Sequence, residues 1–256
     1  MKIGVCGGID KAPTLKRLGF DYIEENMSKI LELSDAEFAD RVREYEALEL
    51  PVYSFNVFFG KEIELYSDEF FSGLEDYGRK AFSCAKALGG SICVVGSGKA
   101  RSIPEGVTRE TAEARFAEIL SILGGIAEDY GIKLAVEPLN SGETNFINTV
   151  GEAAEIARRV GRKNVGSIVD FYHFSVENES DESLLSCSDV IMHAHFAVPK
   201  SRKAVPNAED IPSLAHWAEL LRGINYSGAI SIEARYDDFE SELAEGAKHL
   251  DPFRNY

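Results

Sequence analysis

The sequence is poor in the features that mark several common kinds of protein. Its four cysteines, at positions 6, 84, 93 and 187, include no CxxC pair, so neither a structural zinc site nor a dithiol redox motif is expected. Cys6 and Cys93 fall in apolar runs, and all four read as reduced and mostly buried, as in a cytoplasmic protein. No apolar run approaches the roughly 20 residues of a membrane span. The opening "MKIGVCGGID" has no basic segment followed by an apolar one, so no signal peptide is expected. Basic residues are outnumbered, 27 Lys and Arg against 43 Asp and Glu, for a formal net charge of −16. Such a chain repels nucleic-acid phosphates and anionic lipid, so no nucleic acid and no membrane is expected as partner. Low-complexity segments, linkers and composition breaks are also missing, and residues 1–256 read as one domain.

What is present is alternation. Short runs rich in Val and Ile lie at 3–7, 20–25, 51–57, 91–96, 132–138, 165–171, 190–196 and 228–234. Amphipathic stretches separate them. Ser34 with Glu37 forms a capping box before "FADRVREYEAL". "EFFSGLEDYGRKAFSCAKALGG" reads as one helix ending at Gly89-Gly90. Further helices open at Thr108 and close at Gly131, and close again at Gly161. "IPSLAHWAELLRGINYSG" and "FESELAEGAKHL" follow the last two loops. The first helix, about 10–18, and the sixth, near 181–187, are the weakest. Doubly buried strands alternating with helices mean a parallel sheet. Eight such units in a chain of this length predict a (β/α)8 TIM barrel, with a doubly wound open sheet as the alternative.

In such a barrel the C-terminal ends of the strands floor the active site. Each of the last four runs carries a metal-type ligand near that end: Glu137 in "LAVEP", Asp170 in "SIVDF", His195 in "MHAHF" and Glu233 in "SIEAR". Unpaired buried carboxylates are costly, so three that converge call for a cation. Three carboxylates and one imidazole suit one divalent ion, Mn²⁺, Mg²⁺, Co²⁺ or Zn²⁺, and do not separate these well. His193 and His195 stand two residues apart, so both can face inward.

The motifs "VEPLNSGE" (136–143), "VDFYHF" (169–174), "HAHFAVPKSR" (193–202) and "SIEA" (231–234) resemble the xylose isomerase-like TIM barrels, the sugar phosphate isomerase/epimerase superfamily. Within it the chain is most similar to the ketose 3-epimerases, the tagatose and psicose group. The resemblance covers essentially the whole chain and implies that Glu137, Asp170, His195 and Glu233 bind the metal. It implies substrate contacts from Glu143, His173 and Arg202, to which His193 is added. The arginine of epimerase-like members sits one residue nearer the histidine, so Arg202 implies an insertion, and Lys200 or Lys203 is an alternative. Glu24 or Glu25, and Phe55, Phe58 and Phe59 around Asn56, are weaker candidates for the cavity wall.

The implied activity is a metal-dependent isomerase or epimerase acting on a ketose or related polyol-ketone through a cis-enediolate. Glu137 and Glu233, from strands five and eight, would reach the sugar from different sides. One would remove a proton and the other return it. A lyase on the same scaffold, a keto-inositol dehydratase or C-glycoside-cleaving enzyme, is the alternative. A DNA-repair nuclease of the endonuclease IV type would need histidines from earlier strands, which "SFNVFFG" and "VVGSGKA" lack. A sugar-binding barrel without activity would have no use for four intact ligands. No Gly-rich loop opens a helix after the seventh or eighth run, so a neutral sugar is expected. A homo-oligomer is compatible with the sequence.

Overall fold

Each of the eight apolar runs is a strand. They are β1 (Lys2–Cys6), β2 (Tyr22–Asn26), β3 (Val52–Asn56), β4 (Ile92–Val95), β5 (Lys133–Val136), β6 (Val165–Asp170), β7 (Ile191–Phe196) and β8 (Ala229–Ile232). The structure is a computed structural model and describes residues 1–204 and 210–255. All neighbouring strands are parallel and pair in chain order, and β1 pairs with β8 to close the barrel. The closing register sets Lys2 beside Ala229 and Val5 beside Ile232. Gly4 gives that seam the room it needs, because a Cβ there would overlap the Tyr22 ring.

The two-residue period of each strand sorts the side chains. Cys93, Val95, Val136, Val169 and Ile232 point to the helical layer and join its large apolar cluster. Ile92, Val94, Ala135 and Ile168 form a separate small cluster inside the barrel. The same parity carries Glu24, Ser54, Asn56, Glu137, Asp170, His193, His195, Ser231 and Glu233 to the interior or its upper rim. The strand that runs into Glu137 therefore delivers its carboxylate to the barrel mouth.

Helix ends follow local chemistry. Ser34 and Glu37 make the expected capping box at Asp35–Leu48. Thr108 and Thr149 cap Arg109–Tyr130 and Val150–Val160, which end at left-handed Gly131 and Gly161. Two expectations need correction. The segment read as one helix breaks at Gly73 into Asp68–Ser72 and Leu74–Ala87. The sixth helical region holds Asp181–Leu185 but also a helix Phe171–Val176, which starts on Asp170 itself. Among the described residues no helix is long and apolar enough to cross a membrane. No cysteine is paired; Cys93 and Cys187 are buried, and Cys6 and Cys84 half-buried.

Candidate active site

Three carboxylates meet at the barrel mouth. Ligand atoms of Glu137, Asp170, Glu233 and His173 all lie within 4.8 Å of one another. Asp170 is placed by its own helix. Its Oδ1 accepts from the N–H groups of Tyr172 (2.7 Å) and His173 (3.3 Å), leaving Oδ2 to face the cluster. Glu137 Oε1 lies 3.0 Å from His195 Nδ1. Gly96, at the end of β4, leaves space for the other oxygen, since a Cβ there would overlap Glu137 Oε2. Glu233 accepts from Asn56 Nδ2 and from Arg202 Nη2, each at 3.0 Å.

The electrostatics show what the gathering costs. Burial first, then the charge of Glu233, pushes Glu137 up to about 7 and Asp170 up to about 6. Burial acts on Glu233 in the same sense, but His195 and Arg202 outweigh it and hold that carboxyl below its ordinary value. His173 Nε2 is buried with no hydrogen-bond partner, 3.8 Å from Asp170 Oδ2. Stacked acids of this kind are what a divalent cation with hard oxygen ligands would relieve. The residues fit such an ion.

Two imidazoles compete for the nitrogen position, and their partners separate them. His173 Nδ1 receives the Asn140 backbone N–H at 3.0 Å. That nitrogen must accept, so the ring proton sits on Nε2, which is then a donor and not a ligand. His195 is the reverse case. Its Nε2 faces Glu24 Oε1 at 2.9 Å, while Nδ1 faces Glu137 Oε1 and, at 3.9 Å, Asp170 Oδ2. A proton held toward Glu24 leaves Nδ1 free to coordinate.

Below this layer lies a polar core. Glu24 is fully buried and accepts from Ser54 (2.6 Å), Ser231 (2.5 Å), His193 and His195 (both 2.9 Å). Burial would raise its carboxyl, but the two histidines hold it well below its ordinary value. His193 is spent here. It packs inside the barrel against Glu24 and does not reach the cavity, so the structure does not bring it to a substrate. Glu25 points elsewhere, to Arg41 and Tyr45.

The remaining candidates ring the mouth. Arg202 spans Glu143 Oε1 (2.8 Å) and Glu233, and lies over the Tyr172 ring at 4.7 Å. Arg202 itself sits in the left-handed region, φ 51°. Lys203 turns away to Asp237 and Glu242. Phe55 and Phe58 belong to the core, whereas Phe59 lines a cavity of about 270 Å³ with Val57, Leu139, Glu137, Glu143 and Glu233. Val57, Ser97, Ile147 and Arg202 are four of the seven described non-glycine residues with positive φ. Such backbone costs of the order of 1–3 kcal/mol per residue and gathers where geometry is held against preference.

Sequence reasoning missed Glu24's pairing with both histidines, Asn140's hold on His173, and Arg101. Arg101 is wholly buried, and its Nη1 donates to the carbonyls of Glu137 (2.6 Å) and Val95 (3.1 Å), its Nη2 to that of Ile147 (3.2 Å). In "GSGKAR" it looks like one more loop cation, and nothing local signals burial.

The profile of the Xylose isomerase-like TIM barrel family matches residues 13–253, and the chain belongs to that family. It is 32% identical over 123 residues to D-psicose 3-epimerase of Agrobacterium fabrum, covering 47% of this chain and 41% of the relative. That match therefore spans less than half the relative's length. Inosose isomerase of Halalkalibacterium halodurans is 26% identical over 253 residues, covering 90% and 83%. The chain shares its fold with the IOLI protein with a binding zinc atom, at TM-score 0.78 and 21% identity over 100% of this chain and 99% of that one. The relatives so named are sugar epimerases and isomerases.

Proposed function

We propose that the chain is a divalent-metal-dependent sugar epimerase or isomerase acting on a ketose or a related polyol-ketone. The observation that carries this reading is the placement of Glu137 and Glu233. They follow β5 and β8 and face one cavity, with Asp170 of β6 and His195 of β7 between them in the barrel. Glu137, Asp170, His195 and Glu233 would hold the ion, Mn²⁺ by preference, with Mg²⁺, Co²⁺ or Zn²⁺ meeting the same donors. Bound there, it would supply a positive charge against which negative charge on adjacent substrate oxygens is stabilised.

The chain's own residues do the rest. Glu137, braced by His195 and by Arg101 through its carbonyl, takes or returns the proton on one face of the sugar. Glu233, braced by Asn56 and Arg202, does so on the other. His173 offers Nε2–H to a substrate oxygen, its tautomer fixed by Asn140. Arg202 and Glu143 contact a hydroxyl at the rim, and Val57, Phe59 and Leu139 exclude water from one wall. Carboxylates in such a cluster are weak bases, so charge stabilisation carries most of the rate. The relatives reported above are isomerases and epimerases, which favours this reading over a lyase. The chain's unpaired cysteines support a cytoplasmic location.

The test is deuterium exchange at carbon-bound hydrogen, followed by NMR, with Mn²⁺-loaded protein and a panel of ketoses and keto-inositols. Exchange with inversion or isomerisation of at least one member is expected. Loss of water or of an aglycone instead would make the protein a lyase, and no exchange across the panel would overturn the reading.

A further inference from the structure

The catalytic cavity does not end at the sugar. A larger cleft, about 670 Å³, adjoins it and shares Lys61, Lys99 and Ala100 with its lining. The cavity itself, about 270 Å³, falls just below the roughly 300–1,000 Å³ of usual ligand sites and suits one sugar ring. A monosaccharide would leave the larger space unused.

We propose that the substrate is a glycosylated ketose, with a neutral second sugar ring seated in this cleft. The proposal rests on the function assigned above and names its substrate class. Three features carry it. Continuity comes first: the cavity that holds Glu137 and Glu233 and the larger cleft share Lys61, Lys99 and Ala100, on the loops that follow β3 and β4.

The second feature is the chemistry of the walls. Ile63, Tyr66, Ile103 and Val107 present aliphatic and aromatic surface suited to the C–H face of a pyranose. Lys61 and Lys99, against Glu62 and Glu64, supply donors and acceptors for ring hydroxyls and sum to zero charge, so an anionic substituent gains no net attraction. Neither lysine makes a hydrogen bond or ion pair among the described residues. Both are available at the junction.

The third feature is that the cleft is built beforehand. Tyr66 Oη donates to the Arg101 carbonyl at 2.9 Å. Ile103 and Asn145 exchange two hydrogen bonds, at 2.8 and 3.1 Å. The same residues tie the cleft to the loops that carry the catalytic cavity, so a ring bound there bears directly on the geometry at Glu137. Binding energy from such a remote group raises kcat/KM at the reacting centre.

The experiment compares D-fructose with four D-fructoses bearing an α-D-glucosyl group on O1, O4, O5 or O6, using the Mn²⁺-loaded protein. At least one glucosylated sugar should exceed D-fructose in kcat/KM by about tenfold or more. Ile103→Trp should cut that ratio about tenfold by filling the cleft, with Val107→Trp taking its place if the first variant does not fold. Turnover of D-fructose with all four glycosides equal or worse overturns the cleft proposal and leaves the assigned function standing. An unchanged ratio in the tryptophan variants overturns it as well. If neither D-fructose nor its glucosides react, the assigned function is decided separately by the wider panel of ketoses and keto-inositols. Calorimetric titration with the same disaccharides then decides the cleft: binding that Ile103→Trp removes supports it, and no binding rejects it.

Discussion

His195 gives its Nε2 to Glu24 Oε1 at 2.9 Å, and that bond aims its other ring nitrogen at Glu137 and Asp170. A buried carboxylate behind a ligand histidine fixes both tautomer and ring orientation. Glu24→Gln keeps the volume but removes the charge that holds the proton on Nε2. Metal affinity should fall roughly 10–100-fold, the usual cost of losing such a partner. Titration of the metal-free protein with Mn²⁺ measures it, and an unchanged Kd would mean that Glu24 does not orient the ligand.

The reach of the sequence can be judged from particular residues. All eight strands were legible because short apolar runs alternate with longer amphipathic stretches, and Ser34, Thr108 and Gly131 mark their helices with local chemistry. The gathering of Glu137, Asp170 and Glu233 was legible because each lies at the C-terminal end of a strand. Glu24 was not, because its partners come from strands 30 to 207 residues away. His193 misled for a related reason: strand parity says that a side chain faces inward but not how deep it sits. The break at Gly73 and the helix at 171–176 depend on packing against neighbours, which no short window contains.

Arg101 supports a prediction about the backbone that carries Glu137. Burial lowers its guanidinium to about 10 although Glu137 acts to raise it. Arg101→Met would leave the carbonyls of Val95, Glu137 and Ile147 without their donors, at about 1–3 kcal/mol each, partly offset by removing a buried charge. A net loss of roughly 2–4 kcal/mol is expected in chemical denaturation, with lower kcat because Glu137 loses its anchor. Arg101→Lys should recover only part, since an ammonium cannot reproduce the guanidinium fork. A midpoint within error of wild type for Arg101→Met would contradict this.

Glu179 sets a pH dependence away from the active site. It accepts from the Val150 N–H at 3.0 Å and from Ser183 Oγ at 3.1 Å, but burial wins and raises it to about 6. The folded state therefore holds the proton more tightly than the unfolded chain, and ionising Glu179 lowers stability as pH rises through 6. Glu179→Gln should be more stable than wild type at pH 7, by on the order of 1 kcal/mol once solvent screening of this half-buried group is allowed for. The difference should shrink as pH falls through 6 and vanish below about 4.5. A gap of the same size at pH 4 and pH 7 would show that proton binding is not its cause.

The central claim is that Glu137 and Glu233 move protons on opposite faces of one sugar. Replacement of either by Gln keeps size and one oxygen donor while removing the base. Each metal-loaded variant should lose inversion by roughly two to four orders of magnitude, the usual size of a general-base contribution. The decisive measurement is carbon-bound deuterium uptake in D₂O, followed by NMR for Glu137→Gln and Glu233→Gln with each of the two epimers. From one epimer, the variant lacking the abstracting base should show no exchange. The other should exchange slowly without inverting, because the remaining glutamate returns a solvent-derived deuteron. From the second epimer the two behaviours should swap. Inversion at the wild-type rate in either metal-loaded variant would contradict the account and move the proton to another group, with Glu143 and His173 next in reach.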